Sequence, residues 1–96
     1  MTQALILVDQ RDNVATALRP LEQGESFELE LEGTRDTVQA AQAIPFGHKV
    51  ALTRFGEGDA VIKYGEVIGL ATKTIEEGEH VHIHNVEGPK RQGRPR

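Results

Sequence analysis

Phe27-Glu-Leu-Glu-Leu-Glu32 alternates without a break between apolar and acidic residues. A strand sends successive side chains to opposite faces, so Phe27, Leu29 and Leu31 share one face and the three glutamates the other. A helix would scatter the same residues around its circumference. An antiparallel strand with one dry and one wet face sorts them cleanly. Working outward, Ala4 to Val8 is a continuous apolar run that reads as a buried strand. Val50 to Arg54, Ala60 to Tyr64, Val67 to Thr72 and His80 to Val86 read as further short strands. Val14 to Leu18 is ambiguous, because Val14 and Leu18 also fit one helical turn with Asp12 as its cap, and Pro20 ends the segment either way. Arg11-Asp12-Asn13 and Gly33-Thr-Arg-Asp36 have turn composition. A small, mostly β domain with little helix is expected.

A repeated device supports that reading. An apolar residue, two variable positions and a glycine recur four times: Leu21-Glu-Gln-Gly24, Ile44-Pro-Phe-Gly47, Phe55-Gly-Glu-Gly58 and Ile75-Glu-Glu-Gly78. An acid follows the glycine in three of them, as Glu25, Asp59 and Glu79. The pattern predicts tight turns whose glycines take positive φ and whose apolar residues anchor each turn in the core. Spacings of 23, 11 and 20 residues exclude a regular solenoid.

At 96 residues the chain has room for one modest core, and any chemistry lies on an open face or is completed by another chain. A hydrophobic share of 38% and a charged share of 27% place it among globular rather than disordered chains. The longest apolar run, the five residues Ala4 to Val8, is far short of the ~20 that a membrane span needs. No secretory signal pattern opens the chain. With no cysteine, disulfides, thiolate nucleophiles and zinc ribbons are excluded, and a cytoplasmic location is the expectation. The net charge is −4, yet Lys90, Arg91, Arg94 and Arg96 all fall in the last seven residues. The body is therefore strongly acidic, which argues against nucleic acid as the partner. Residues 1–87 are read as the domain and 88–96 as a solvated basic tail.

Three of the four histidines fall in His80-Val-His-Ile-His-Asn85. On a continuous strand Val81 and Ile83 would face the core, and His80, His82 and His84 would line the opposite face. Residues two apart on a strand lie roughly 6.5–7 Å apart, close enough for two imidazoles to converge on one metal. An imidazole there can equally act as acid or base near neutral pH, and a merely polar, histidine-rich face gives the same pattern. His48-Lys49 follows a glycine turn, where Lys49 either binds a carboxylate or phosphate or is an ordinary exposed lysine. Lys63-Tyr64 can bind or protonate an oxyanion, or can simply end a strand. Other chemistries are missing. Ser26, the only serine, has no Gly-x-Ser-x-Gly context. Gly56-Glu-Gly58 lacks the third glycine of a dinucleotide loop, and no phosphate loop is present.

Several linked stretches carry a family resemblance. Ile44-Pro-Phe-Gly-His-Lys-Val-Ala-Leu52, Val61-Ile-Lys-Tyr-Gly65, Ile68-Gly-Leu-Ala71 and Ile75-x-x-Gly-Glu-x-Val-His-x-His-Asn85 resemble the small domain of altronate and galactarate dehydratases. Asp12-Asn-Val-Ala15 and Leu21-x-x-Gly24 match its opening, so the resemblance runs from about Ala4 to Val86. It implies a SAF (β-clip) fold and a lyase component that dehydrates a sugar acid to a 2-keto-3-deoxy acid. A divalent metal, Fe²⁺ or Mn²⁺, would grip the substrate carboxylate and stabilise the enediolate.

Carried over position by position, the resemblance points to His48, His82, His84 and Asn85 as catalytic and to Lys49, Lys63 and Tyr64 as substrate-binding. His82 and His84 would be metal ligands, with His80 just outside the motif. Because the chain ends soon after the last motif, it is expected to act as a small subunit beside a separate large catalytic subunit. The small subunit of sulfolactate sulfo-lyase, which expels sulfite instead of water, fits the same motifs. A non-catalytic SAF binding or assembly module is the alternative from a different class.

Overall fold

A computed structural model describes residues 4–31 and 34–88. Among these described residues nine strands follow in chain order: β1 (Leu5–Ile6), β2 (Val14–Ala17), β3 (Ser26–Leu31), β4 (Thr34–Gln39), β5 (Lys49–Ala51), β6 (Ala60–Lys63), β7 (Glu66–Ala71), β8 (His80–Val81) and β9 (Val86–Glu87). All pairings are antiparallel, in sheets ordered β1-β2-β5-β8, β3-β4 and β6-β7-β9. The described residues form no helix, and so none long and apolar enough to cross a membrane. The mostly β SAF-type expectation holds.

The Val14–Ala17 ambiguity resolves as strand, paired with β5 at Val14↔Ala51, Ala15↔Val50 and Thr16↔Lys49. Asp12 caps no helix. Two expectations fail here. Thr34–Asp36 is not a turn but the start of β4, which zips against β3 from Ser26↔Gln39 to Leu31↔Thr34. Its polar composition misled because Arg35, Asp36, Thr37 and Gln39 are exposed and Val38 is the one buried side chain among the described ones of β4. The stretch His80–Val86 is not one strand either. It breaks after Val81, turns through 82–85 and resumes at β9. The basic tail from Lys90 onward, and Glu32-Gly33, lie outside the described residues.

The first sheet separates two cores. On one face Leu5, Ala15, Ala17 and Val50 pack with Leu21, Phe27, Leu29, Val38, Ala40 and Ile44. On the other, Val14, Ala51 and Val81 pack with Phe55, Val61, Ala71 and Ile75. Residues 14 and 15, or 50 and 51, thus feed different cores, as strand alternation requires. Neither face of this sheet is free, so β2 and β5 lack the polar face seen on β3.

The four glycine turns close these cores in pairs. Gly24, Gly47, Gly58 and Gly78 have φ of 92°, 84°, 91° and 88°, as the third residue of a type II turn requires. The residue after each glycine donates its N–H back across the turn, at 3.0–3.1 Å. Each glycine N–H reaches a buried alanine carbonyl, that of Ala40, Ala17, Ala71 or Ala51 respectively, at 2.7–2.8 Å. The anchors bridge each other, Leu21 with Ile44 and Phe55 with Ile75, one pair per core. In three turns the acid after the glycine accepts the N–H of the residue after the anchor: Glu22 to Glu25 at 2.7 Å, Gly56 to Asp59 at 2.7 Å, Glu76 to Glu79 at 2.9 Å.

Candidate functional site

In the fourth turn the residue after the anchor is Pro45, which has no N–H to be satisfied. Position 48 is thereby released from capping and carries histidine instead of an acid. His48 immediately precedes β5 and continues the face of Val50, while His80 on β8 opposes Val50. Both imidazoles emerge on the same side. His48 Nδ1 and His80 Nε2 lie 2.8 Å apart, one donating and the other accepting. His82 stacks on His48 with ring centroids 3.8 Å apart and planes at 16°. One nitrogen from each of His48, His80 and His82 falls within 4.8 Å of the others.

The break in the last strand creates this convergence. Asn85, 3% exposed, accepts the His82 N–H at 3.0 Å and donates to the His80 carbonyl at 2.8 Å. It ties both ends of a tight turn. The turn brings His82 back over His48 and throws Ile83 into solvent, at 83% exposed, where strand alternation had placed it in the core. His84 sits outside the trio, its ring tilted 37° against His80 at 4.9 Å. Gln42 accepts the His80 N–H at 2.9 Å; no sequence signal marks it.

Burial is the main cause of lowered basicity at His80 and His82. It acts with the surrounding imidazoles and Lys49, and brings His80 down to about 4. Both rings are therefore neutral at pH 7, the form that ligates metal. His82 Nδ1 is buried with no hydrogen-bond partner, an orphan of the kind that an ion satisfies. Three convergent imidazoles and one orphaned nitrogen fit a divalent cation, with coordination positions left over for other ligands.

Lys49 points to the other face of β5, toward the β6–β7 hairpin. Burial, then the nearby Lys63 ammonium, holds its amine below the usual lysine range, and Tyr64 acts in the opposite sense. The Lys63 Nζ lies 4.7 Å over the Tyr64 ring. Tyr64 and Gly65 form the two-residue hairpin tip with φ of 59° and 74°, the geometry of a type I′ turn. A tyrosine at positive φ is strained and needs support. Asp12 gives it: 8% exposed, its carboxylate accepts the N–H of Tyr64 at 3.1 Å, of Gly65 at 2.9 Å and of Asp9 at 3.2 Å. Asn13 adds a second clamp on the hairpin, through Ile62 N–H at 2.8 Å and the Ala60 carbonyl at 3.0 Å.

Asp12→Ala strands three backbone donors and is expected to lower stability by about 2–4 kcal/mol. Asp12→Asn, which keeps one acceptor oxygen, should lose less. Thermal denaturation reads the order, and equal midpoints for wild type and Asp12→Ala would refute the clamp.

Of the residues selected from the sequence, His48, His82 and Asn85 come together in one site, and Lys49, Lys63 and Tyr64 form a second group on the other face of β5, with Lys49 within electrostatic reach of His80 and His82. His84 stands at its edge, and His80, ranked outside the motif, stands inside. Residues 3–89 match the family described as the altronate/galactarate dehydratase SAF domain. The chain belongs to that family. This SAF domain is 36% identical over 85 residues to an altronate dehydratase of Bacillus subtilis (strain 168), covering 88% of the chain and 16% of that enzyme. It is 44% identical over 80 residues to an altronate dehydratase of Escherichia coli (strain K12), covering 83% of the chain and 15% of that enzyme. It is also 47% identical over 49 residues to a (2R)-sulfolactate sulfo-lyase subunit alpha of Chromohalobacter salexigens, covering 51% of the chain and 52% of that subunit. The SAF domain thus spans a small part of the dehydratases and about half of the sulfo-lyase subunit.

Proposed function

We propose that the chain is the small component of a metal-dependent carbon–oxygen lyase. It would dehydrate a sugar acid of the altronate or galactarate type to a 2-keto-3-deoxy acid, together with a large catalytic part. The convergence of His48, His80 and His82, with Lys49 within electrostatic reach of His80 and His82, is the observation that carries this reading. An Fe²⁺ or Mn²⁺ ion held by these imidazoles would supply Lewis acidity toward the substrate carboxylate. The chain's own groups divide the remaining work. The Lys49 and Lys63 ammonium groups bind substrate oxygens as point charges, and the Tyr64 hydroxyl donates to one of them. His84, at the rim and outside the trio, moves a proton between the substrate and water. Asn85 fixes the loop that aims His80 and His82, acting as a positioning residue. Dehydration needs the α-proton removed and the β-hydroxyl protonated as it leaves, so at least one of these groups comes from the large part.

A second reading has a specific basis. The chain is 47% identical over 49 residues to one sulfo-lyase subunit alpha and 57% identical over 42 residues to another, from Paracoccus pantotrophus, which supports a subunit that expels sulfite from sulfolactate. The deciding experiment purifies the chain with the large subunit from its own source and supplies altronate, galactarate or sulfolactate with Fe²⁺ or Mn²⁺. Formation of a 2-keto-3-deoxy acid, lost on chelation and restored by metal, is expected. Sulfite release from sulfolactate alone would move the assignment to the second reading. No turnover of any of the three by an intact complex would leave a non-catalytic module.

A further inference from the structure

The four glycine turns share one backbone shape, so equivalent positions can be compared within one chain. The residue before the glycine is Gln23, Glu57 or Glu77 in three turns, each polar and exposed. In the turn that carries His48 it is Phe46, 66% exposed. The same turn also departs at the other variable positions, with Pro45 and His48 where its sisters have Glu or Gly and an acid. The second loop of the site behaves alike, because the turn through 82–85 presents Ile83 to solvent between His82 and His84. Neither Phe46 nor Ile83 belongs to either core. Single exposed apolar residues are ordinary. Two of them on the two loops that supply a stacked His48–His82 pair are not explained by folding.

We infer that Phe46 and Ile83 are the apolar anchors of a docking surface around the histidines. Its occupant is the large catalytic part of the lyase, so that the imidazoles face the seam between the two. This rests on the function proposed above. The SAF domain accounts for 15–16% of the altronate dehydratases it matches, and the remainder of such an enzyme is the body that the surface awaits. Charge complementarity points the same way. Lys49 lies within electrostatic reach of His80 and His82, with Lys63 next to it, which sets cationic side chains close to the histidine loops in a chain of net charge −4 and suits carboxylates on a partner face. A second copy of this chain fits poorly, since two-fold pairing would set the lysines of one copy against those of the other. Docking would also exclude water from the histidines, which an open face cannot do.

The test measures binding of the intact chain to the large subunit from the same source, chosen by similarity to the part of altronate dehydratases that this chain does not cover. Phe46→Glu and Ile83→Glu place an acid at the two anchors. Gln23→Glu adds the same charge at the sister position of another turn. Both anchor variants should keep the wild-type melting temperature and weaken binding at least about tenfold, with the double variant weaker still. Gln23→Glu should bind as wild type. Wild-type affinity in both anchor variants would overturn the surface while leaving the two-part lyase intact. Failure of the wild-type chain to bind would remove the proposed function and this inference with it.

Discussion

Gly78→Ala is expected to leave the chain largely unfolded at 37 °C, whereas Gly24→Ala leaves it folded. Both glycines sit at the same position of the same turn, with φ of 88° and 92°, so both substitutions force an L-residue into a left-handed conformation. That shared strain is about 1 kcal/mol or somewhat more. The difference lies in what the new methyl group meets. At Gly24 it meets nothing within 4 Å, whereas at Gly78 it overlaps the Gln39 carbonyl oxygen and lies 3.2 Å from the Ala41 nitrogen. Gly78 also accepts the Ala41 N–H and donates to Ala51. Backbone, which cannot step aside like a side chain, links the two cores there. The added cost should exceed ~3 kcal/mol, a large share of the 5–15 kcal/mol that holds a domain together. Thermal denaturation should show Gly24→Ala lowered by about 4–8 °C per kcal/mol lost, with Gly78→Ala showing no cooperative transition at 37 °C or above. Equal midpoints for the two variants would contradict the packing described at Gly78.

The second large effect concerns turnover of the two-part lyase proposed above. Alanine at His48, His80 or His82 should lower it on the order of 10²–10⁴-fold, the range for groups engaged with the reacting centre. His84→Ala should fall less, because its ring lies at the rim against His80 and outside the converging set. The ordering separates the folded geometry from a simple strand face, on which His84 would match His82 and His48 would be irrelevant. Each variant alters a partly exposed side chain, so its melting temperature should stay near that of the wild type. A loss at His84 equal to that at His82, with full activity in His48→Ala, would reverse the assignment.

The repeat of apolar residue, two variable positions and glycine was legible in the sequence because it encodes a local requirement. Positive φ and a buried anchor leave a mark that needs no tertiary knowledge, and all four turns carry it. Phe27 to Leu31 was legible for the same reason. Its partner Thr34–Gln39 was not, because a strand whose one apolar residue is Val38 has almost no apolar period to read. The histidine stretch shows the other kind of limit. Alternation from His80 to Asn85 implied a strand, but Asn85 spends its side chain bonding the backbone at His80 and His82, and that contact bends the chain. Asn at such a position is a turn former, so the signal was present but outweighed by the period. His48 was selected through the family resemblance, whereas its release from capping is readable only by comparing its turn with the three sister turns, since Pro45 removes the donor that an acid would otherwise cap. The Asp12 clamp on Tyr64-Gly65 spans more than fifty residues and leaves no local trace.

Titration of the purified chain with Mn²⁺ by calorimetry tests most directly whether His48, His80 and His82 act together as one metal-binding set. One ion per chain should bind, with binding lost or weakened by at least about tenfold in each of His48→Ala, His80→Ala and His82→Ala and nearly retained in His84→Ala. Undiminished binding in His48→Ala, or no binding of Mn²⁺ and Fe²⁺ by the wild-type chain, would contradict that joint role.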